Sequence, residues 1–350
     1  MTKPIILNAA ELPEWTHAEL QALFTVLDLP KDPAAAHAFL NAYGAKVQGI
    51  ALRKTIVDAA VLDALPALEI ISSYSAGLDN VDIGAVRARG IVIENTSHIL
   101  AQDVANAAVG LALALTRDFV NADAFVRSGQ WPVQGQYPLG RSISRMKVGI
   151  VGLGTIGSAI ATRLQAFGST LAYFGPSRKA VDIPYYDDVC ELARDSDMLI
   201  LTCPLSPATH HLVDAAVIDA LGPNGFVVNI ARGPVVDESA LIAALAADKL
   251  AGAALDVFEH EPAVPEALIR DRRVVLTPHI GSGTEETRHA MAEHVVDALA
   301  RHFGIGSPRN RVVGDTEHEY DALAAKRVAI SRKAAPPSES PGYVPRSGRP

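Results

Sequence analysis

Cysteine is scarce in this 350-residue chain, where only Cys190 and Cys203 occur. They lie 13 positions apart with no CxxC and no paired-histidine spacing. Neither a disulfide framework nor a zinc site is expected, no metal is assigned, and a reducing cytoplasm suits such a chain. Long apolar runs are also missing. The longest, 107–115, is too short to span a bilayer and is flanked by Asp103, Asn106, Arg117 and Asp118. That predicts a buried helix and no membrane partner. The amino terminus has no basic stretch leading into an apolar one, so no signal peptide is expected. Positive charge is not in excess either: 31 Lys and Arg against 39 Asp and Glu give a net charge of −8, which leaves no footprint for nucleic acid.

What is present is a globular composition, 49% apolar and 20% charged. The length predicts two domains of roughly 100–200 residues each. In the first hundred residues, 4–7, 46–52, 68–75 and 91–95 read as strands, with helical periodicity at 33–43 and 58–65. A long apolar helix is expected at 101–120, at a domain or subunit junction, followed by a loop at 128–144. A second series then reads as six strands, 147–153, 169–174, 198–203, 225–230, 252–258 and 273–278, with helices between them. The alternation predicts an α/β chain of two Rossmann-like, doubly wound parallel-sheet domains with a cleft between them. A last amphipathic helix, 284–303, is long enough to return to the first domain. The expected organisation is therefore 1–99 plus 283–312 around an inserted domain at 100–282, with hinges near 99 and 282. Residues 313–350 are expected to form a disordered tail, being rich in Pro, Ser and Gly toward the end.

The strand at 148–151 runs into Gly152-Leu153-Gly154-Thr155-Ile156-Gly157 and then into a helical segment. GxGxxG is weak evidence alone, but this context is that of a dinucleotide fingerprint. Gly152 makes the tight turn, Gly154 admits the pyrophosphate and Gly157 permits close helix–strand packing. An NAD enzyme usually carries Asp or Glu at the end of the second strand for the ribose 2′-hydroxyl. Here that strand is followed by Ser177, Arg178 and Lys179, with no acid before Asp182. These residues suit a 2′-phosphate, so NADP is expected to be preferred, with NAD possible.

Other strands of this series end in residues of a different kind. Arg232 follows the strand at 225–230, Asp256 closes the next, Glu259 and Glu261 follow it, and His279 follows the last. Taken singly these are ordinary loop residues. Together at one sheet edge, opposite the glycine turn, they suit reduction of a 2-keto acid. Arg232 would hold the carboxylate and polarise the ketone. His279 would protonate the forming alkoxide. Glu261, with Glu259 as a competitor, would hydrogen-bond the imidazole and favour its charged form. Asp256 could take the cofactor carboxamide. A non-catalytic dinucleotide-sensing protein is the alternative from another class.

The stretches VGIVGLGTIGSAIATRL, CPLSPATHHLV, GFVVNIARGPVVDESALIAAL, GAALDVFEHEP and VVLTPHIGSGTEETR resemble the D-isomer-specific 2-hydroxyacid dehydrogenase family over roughly residues 45–305. The resemblance implies a two-domain enzyme, usually a homodimer, with its active site in the cleft. The family's Arg, Glu and His fall on Arg232, Glu261 and His279, and its cofactor aspartate on Asp256. It also puts Thr155, Ile156, Cys203, Pro204, Thr209, Ile230, Ala231 and Gly281 against the cofactor. SYSAGLDNVD matches the loop whose amides bind the substrate carboxylate, here Ala76 and Gly77, while Leu52 and Arg53 match less closely. The Ser-Arg-Lys run resembles NADPH-dependent glyoxylate/hydroxypyruvate reductases and hydroxyphenylpyruvate reductases. Formate dehydrogenases fit less well, since they carry Gln where Glu261 stands.

Overall fold

The computed structural model describes residues 2–306. The chain begins with β1 (Ile5–Ala9), α1 (Glu14–Leu23), β2 (Thr25–Asp28), α2 (Pro33–Tyr43), β3 (Gly49–Leu52), α3 (Ala59–Asp63), β4 (Ile70–Ser73), α4 (Ile83–Ala88) and β5 (Val92–Glu94). The five strands form one parallel sheet in the order β2-β1-β3-β4-β5. Three helices follow: α5 (Ser97–Thr116), α6 (Phe119–Arg127) and α7 (Trp131–Gln134).

The second series is β6 (Lys147–Val151), α8 (Thr155–Ala166), β7 (Thr170–Phe174), β8 (Tyr185–Tyr186), α9 (Val189–Arg194), β9 (Met198–Leu201), α10 (Ala215–Leu221), β10 (Phe226–Asn229), α11 (Glu238–Ala246), β11 (Gly252–Leu255), α12 (Glu266–Arg270) and β12 (Val274–Leu276). Its seven strands are parallel, in the order β12-β11-β10-β9-β6-β7-β8. Both orders are doubly wound, and each reverses direction once, between β1 and β3 and between β6 and β9. α13 (Glu285–His302) closes the described chain.

Burial explains the strand composition. Every residue of β9, β10 and β11 is buried, as a parallel sheet covered on both faces requires. Many helices start at a carboxylate: Asp32, Asp58, Asp82, Asp188, Asp214 and Asp237 each accept a first-turn N–H. α13 packs on α1, β3, β4 and α5. It buries Met291, Val295, Val296 and Leu299, each contributing about 1.5–3 kcal/mol. An ideal Cβ at Gly49 would stand 3.1 Å from Leu299, so a charged residue at 299 would lift this helix off the sheet.

Three local features differ from the sequence reading. β2 and β8 went unread because β2 is a half-exposed edge strand and β8 has two residues, too few for a period. The long apolar helix starts earlier, at Ser97, and ends at Thr116; Asp118 then takes a left-handed φ of 54° and the chain turns into α6. The loop after it contains α7. By length and composition α5 could cross a membrane, but half of its most apolar stretch is buried, and it packs on α8, β10, β11, β12 and α13. The tail expected at 313–350 lies outside the described residues.

Candidate active site

Because the strands of the second sheet are parallel, their carboxyl ends share one edge. Across that edge, from β12 to β7, stand His279, Glu261 with Asp256, Arg232, Cys203, the glycine turn and Ser177–Lys179.

The glycine turn is built by close approach. Gly152 has φ 102°, and a Cβ there would meet the Cys203 backbone nitrogen at 2.8 Å. A Cβ at Gly157 would stand 2.2 Å from the Gly152 carbonyl oxygen. Gly154 differs: nothing lies within 4 Å of its Cβ position, and it starts α8 with no side-chain cap. Open space at an uncapped helix start, with amides at Thr155, Ile156 and Gly157, fits a pyrophosphate. Ser177, Arg178 and Lys179 are exposed after β7, and among the described residues neither basic side chain forms an ion pair. That leaves two uncompensated positive charges just beyond the end of β7.

Cys203 is 8% exposed, and burial pushes its thiol up to about 11, so it packs rather than reacts. Pro204 is exposed. The Thr209 hydroxyl donates to the Pro204 carbonyl at 2.6 Å and accepts from the Ser206 N–H at 2.8 Å, closing the 204–209 loop. Ile230 and Ala231 are buried at the end of β10. Their turn is tied by Asn229, 1% exposed, whose amide accepts from the Ala231 N–H and donates to the Arg232 carbonyl.

Arg232 reaches across to the first sheet. Its Nε donates to Asp79 Oδ1 at 3.0 Å and an Nη donates to the Ala231 carbonyl at 2.8 Å. The other Nη lies over Gly77, where a Cβ would stand 1.8 Å from it. Ala76 and Gly77 are held in turn: Asn95 donates to the Ala76 carbonyl at 3.1 Å, and the Ser75 hydroxyl to the Gly77 carbonyl at 2.7 Å. Arg53 stacks over the Tyr74 ring at 5.6 Å, beside this loop. Leu52 is fully buried in the core of the first sheet, so its side chain is not brought to the site.

His279 sits at a left-handed φ of 55°, a strained position for a residue with a side chain. Its Nδ1 lies 2.8 Å from Glu261 Oε2, and among the described residues its Nε2 has no partner. The imidazole is about half exposed. Asp256 holds this turn. It is 2% exposed, Oδ1 accepts from the Thr277 hydroxyl and the Ile280 N–H, and Oδ2 accepts from the Gly281 N–H. The carboxylate read as a cofactor ligand is thus also the brace of the His279 turn. Glu261 also accepts weakly from the Phe258 N–H at 3.3 Å.

Glu259, the rival for the dyad, pairs with His211 instead, Oε1 to Nε2 at 2.8 Å. Its own N–H donates to Glu238, a carboxylate whose pKa burial raises. The sequence reading missed Asp79, Asn229 and this second His–Glu pair. A polar residue ending the apolar FVVN strand was the available signal for Asn229; nothing local marked Asp79 as a partner 153 residues from Arg232.

Comparison with known proteins identifies the family of the chain. Residues 109–281 match the model of the D-isomer specific 2-hydroxyacid dehydrogenase NAD binding domain. The chain is 51% identical over 247 residues to glyoxylate/hydroxypyruvate reductase A of Arabidopsis thaliana, covering 70% of this chain and 79% of that protein. It is 49% identical over 252 residues to hydroxyphenylpyruvate reductase of Plectranthus scutellarioides, covering 72% and 80%. Among solved structures it resembles the NADPH-dependent glyoxylate/hydroxypyruvate reductase of Sinorhizobium meliloti in complex with NADP and malonate. There the TM-score is 0.79 at 38% identity, over 86% of this chain and 94% of that one.

Proposed function

The chain belongs to the D-isomer specific 2-hydroxyacid dehydrogenase family, and from that membership we propose that it reduces a small 2-keto acid of the glyoxylate/hydroxypyruvate type to the D-2-hydroxy acid, with NADPH as preferred cofactor. The observation that carries the reading is the His279–Glu261 pair, bonded through Nδ1, at the same sheet edge as an Arg232 fixed over the 76–77 loop.

A nicotinamide dinucleotide, when bound, would supply the hydride chemistry. The residues of this chain do the rest. Arg232 takes the substrate carboxylate and polarises the ketone, aided by the amides of Ala76 and Gly77. His279 gives a proton from Nε2 to the ketone oxygen as it becomes an alkoxide. Glu261 holds Nδ1 and so fixes which nitrogen faces the substrate. Thr155–Gly157 would hold the pyrophosphate, Ser177, Arg178 and Lys179 the 2′-phosphate, and Asp256 and Gly281 would flank the nicotinamide end. Metal plays no part in this scheme. We take the working unit to be a homodimer, because Phe119, Val120, Val126, Trp131, Val133 and Leu139 lie more than half exposed on one segment.

A second reading, reduction of hydroxyphenylpyruvate or phenylpyruvate, is favoured by one observation. A cavity of about 830 Å³, lined by Leu78, Val81, Ile83, Leu205 and Pro207 together with polar residues, opens beside Asp79, the partner of Arg232, and has room for an aromatic ring. Both readings meet one experiment: kcat/KM for glyoxylate, hydroxypyruvate, phenylpyruvate and hydroxyphenylpyruvate, each with NADPH and NADH, followed by nicotinamide absorbance. The first reading expects the small acids with NADPH to lead. A clear NADH preference removes the cofactor assignment, and inactivity on all four removes the function.

A further inference from the structure

We infer that His210, His211 and Glu259 form a binding site for a divalent transition metal of the zinc class, which clips the 204–211 loop to the loop after β11. The site lies outside the 2-keto acid chemistry proposed above and stands without it.

Among the described residues this is where three metal-ligating side chains converge: one donor atom from each lies within 4.8 Å of the other two. His211 and Glu259 already meet through Nε2 and Oε1 at 2.8 Å. The His210 ring stacks on the His211 ring, with centroids 4.0 Å apart. Among the described residues its imidazole has no hydrogen-bond or ion-pair partner, so its ring nitrogens are free to bind. Neighbouring residues usually send their side chains apart. Here His211 takes a left-handed φ of 51°, and its N–H is held by the Pro234 carbonyl at 2.7 Å. The His210 N–H is held by the Ser206 carbonyl at 2.9 Å. Glu259 is fixed through its own N–H, which donates to Glu238 at 2.8 Å. The backbone therefore presents all three donors together. No zinc spacing shows in the sequence, because the histidines are adjacent and Glu259 lies 48 residues beyond His211. Two imidazoles and a carboxylate suit Zn²⁺, Co²⁺ or Ni²⁺ rather than Mg²⁺ or Ca²⁺, which take oxygen ligands. Around one tetrahedral zinc, neighbouring donors stand about 3.3 Å apart. The 2.8 Å pair would open slightly, and His210, the exposed member, would close in. The proton shared by Nε2 and Oε1 leaves to solvent as the cation takes its place. His210 also lines the cavity beside Asp79, so water can complete the coordination from that side.

The test uses the untagged full chain, stripped of metal with a chelator that is then removed. Calorimetric titration with Zn²⁺ should give a saturable site of micromolar affinity that Mg²⁺ does not fill. His210→Ala removes one ligand and breaks no hydrogen bond. Glu259→Gln removes the anionic ligand and keeps an acceptor for His211. Each should weaken zinc binding by about tenfold or more. His279→Ala is the control and should bind zinc as the wild type does. Co²⁺ gives a second readout that needs no activity: its visible absorption, strong in low-coordinate sites, should appear in the wild type and be lost in His210→Ala. Saturating zinc should also raise the Tm of the wild type by several degrees and leave that of His210→Ala where it was. Zinc binding that is the same in the wild type and His210→Ala, a site abolished by His279→Ala, equal binding of Mg²⁺, or no saturable binding by the wild type overturns the proposal.

Discussion

Of the histidine–glutamate pairs among the described residues, His211–Glu259 and His279–Glu261 are nearly copies of one another. Each has a nitrogen–oxygen distance of 2.8 Å, and each histidine is left-handed, φ 51° at His211 and 55° at His279. Their carboxylates, Glu259 and Glu261, are two residues apart on one loop. The difference lies in which ring nitrogen is spent and in what surrounds the pair. His211 gives Nε2 to Glu259, while the backbone N–H is tied in both, to the Pro234 carbonyl at His211 and to the Asp256 carbonyl at His279. Glu259 is tied again through its N–H to Glu238. That pair is woven into the loop. His279 gives Nδ1 to Glu261 and keeps Nε2 for something else. It is also the more exposed of the two, 47% against 34%. The same two side chains make a brace in one place and a candidate acid in the other.

Substitutions can break this comparison directly. The largest effect is expected from His279→Ala, a loss in kcat of roughly 10²–10⁴-fold, the usual contribution of general acid work; near-normal turnover would mean that another group supplies the proton. Glu261→Gln should follow, lowering kcat about tenfold or more because the imidazole loses its charged partner. His211→Ala and Glu259→Gln should sharpen the contrast. Thermal unfolding should show a loss of about 1 kcal/mol from the broken bond, while kcat stays within about threefold; a large kcat effect with normal stability would make the two pairs functionally alike.

The smallest effect comes from a carboxylate outside both pairs. Hydrogen bonds from Thr284 and Thr287 hold Asp103 below its usual value of 3.8, tying α5 to the start of α13. A lowered folded pKa contributes stability that is full above the unfolded value and lost as pH falls through the folded one. Asp103→Asn should therefore cost a constant amount of stability, about 1 kcal/mol, near neutral pH, and the difference should close only below pH 3.8.

Much of this arrangement was legible in the sequence because strand periodicity and glycine spacing are local signals. Arg232, Asp256, Glu261 and His279 could be placed at one edge once β10, β11 and β12 were read as consecutive parallel strands. Periodicity does not report pairing between distant side chains. It left Glu259 and Glu261 unresolved, since both follow β11 within six residues and either could reach a histidine. It gave no hint that Asp79 meets Arg232, because that contact depends on how two separate sheets face each other. The family resemblance, for its part, offered Leu52 to the site, whereas its side chain is buried in the core of the first sheet like the rest of β3.

The crowding at residue 77 has an uncommon character. What a methyl group there would strike first is the tip of Arg232 and then the carboxylate of Asp79, both ends of side chains that can swing away. At Gly157 the obstacle is the main chain itself. An alanine at 157 would therefore damage the scaffold, whereas an alanine at 77 would leave a protein that folds, melts and purifies normally with its guanidinium parked elsewhere. In a mutational library scored by both abundance and turnover, position 77 should fall in the quadrant of intact but silent molecules.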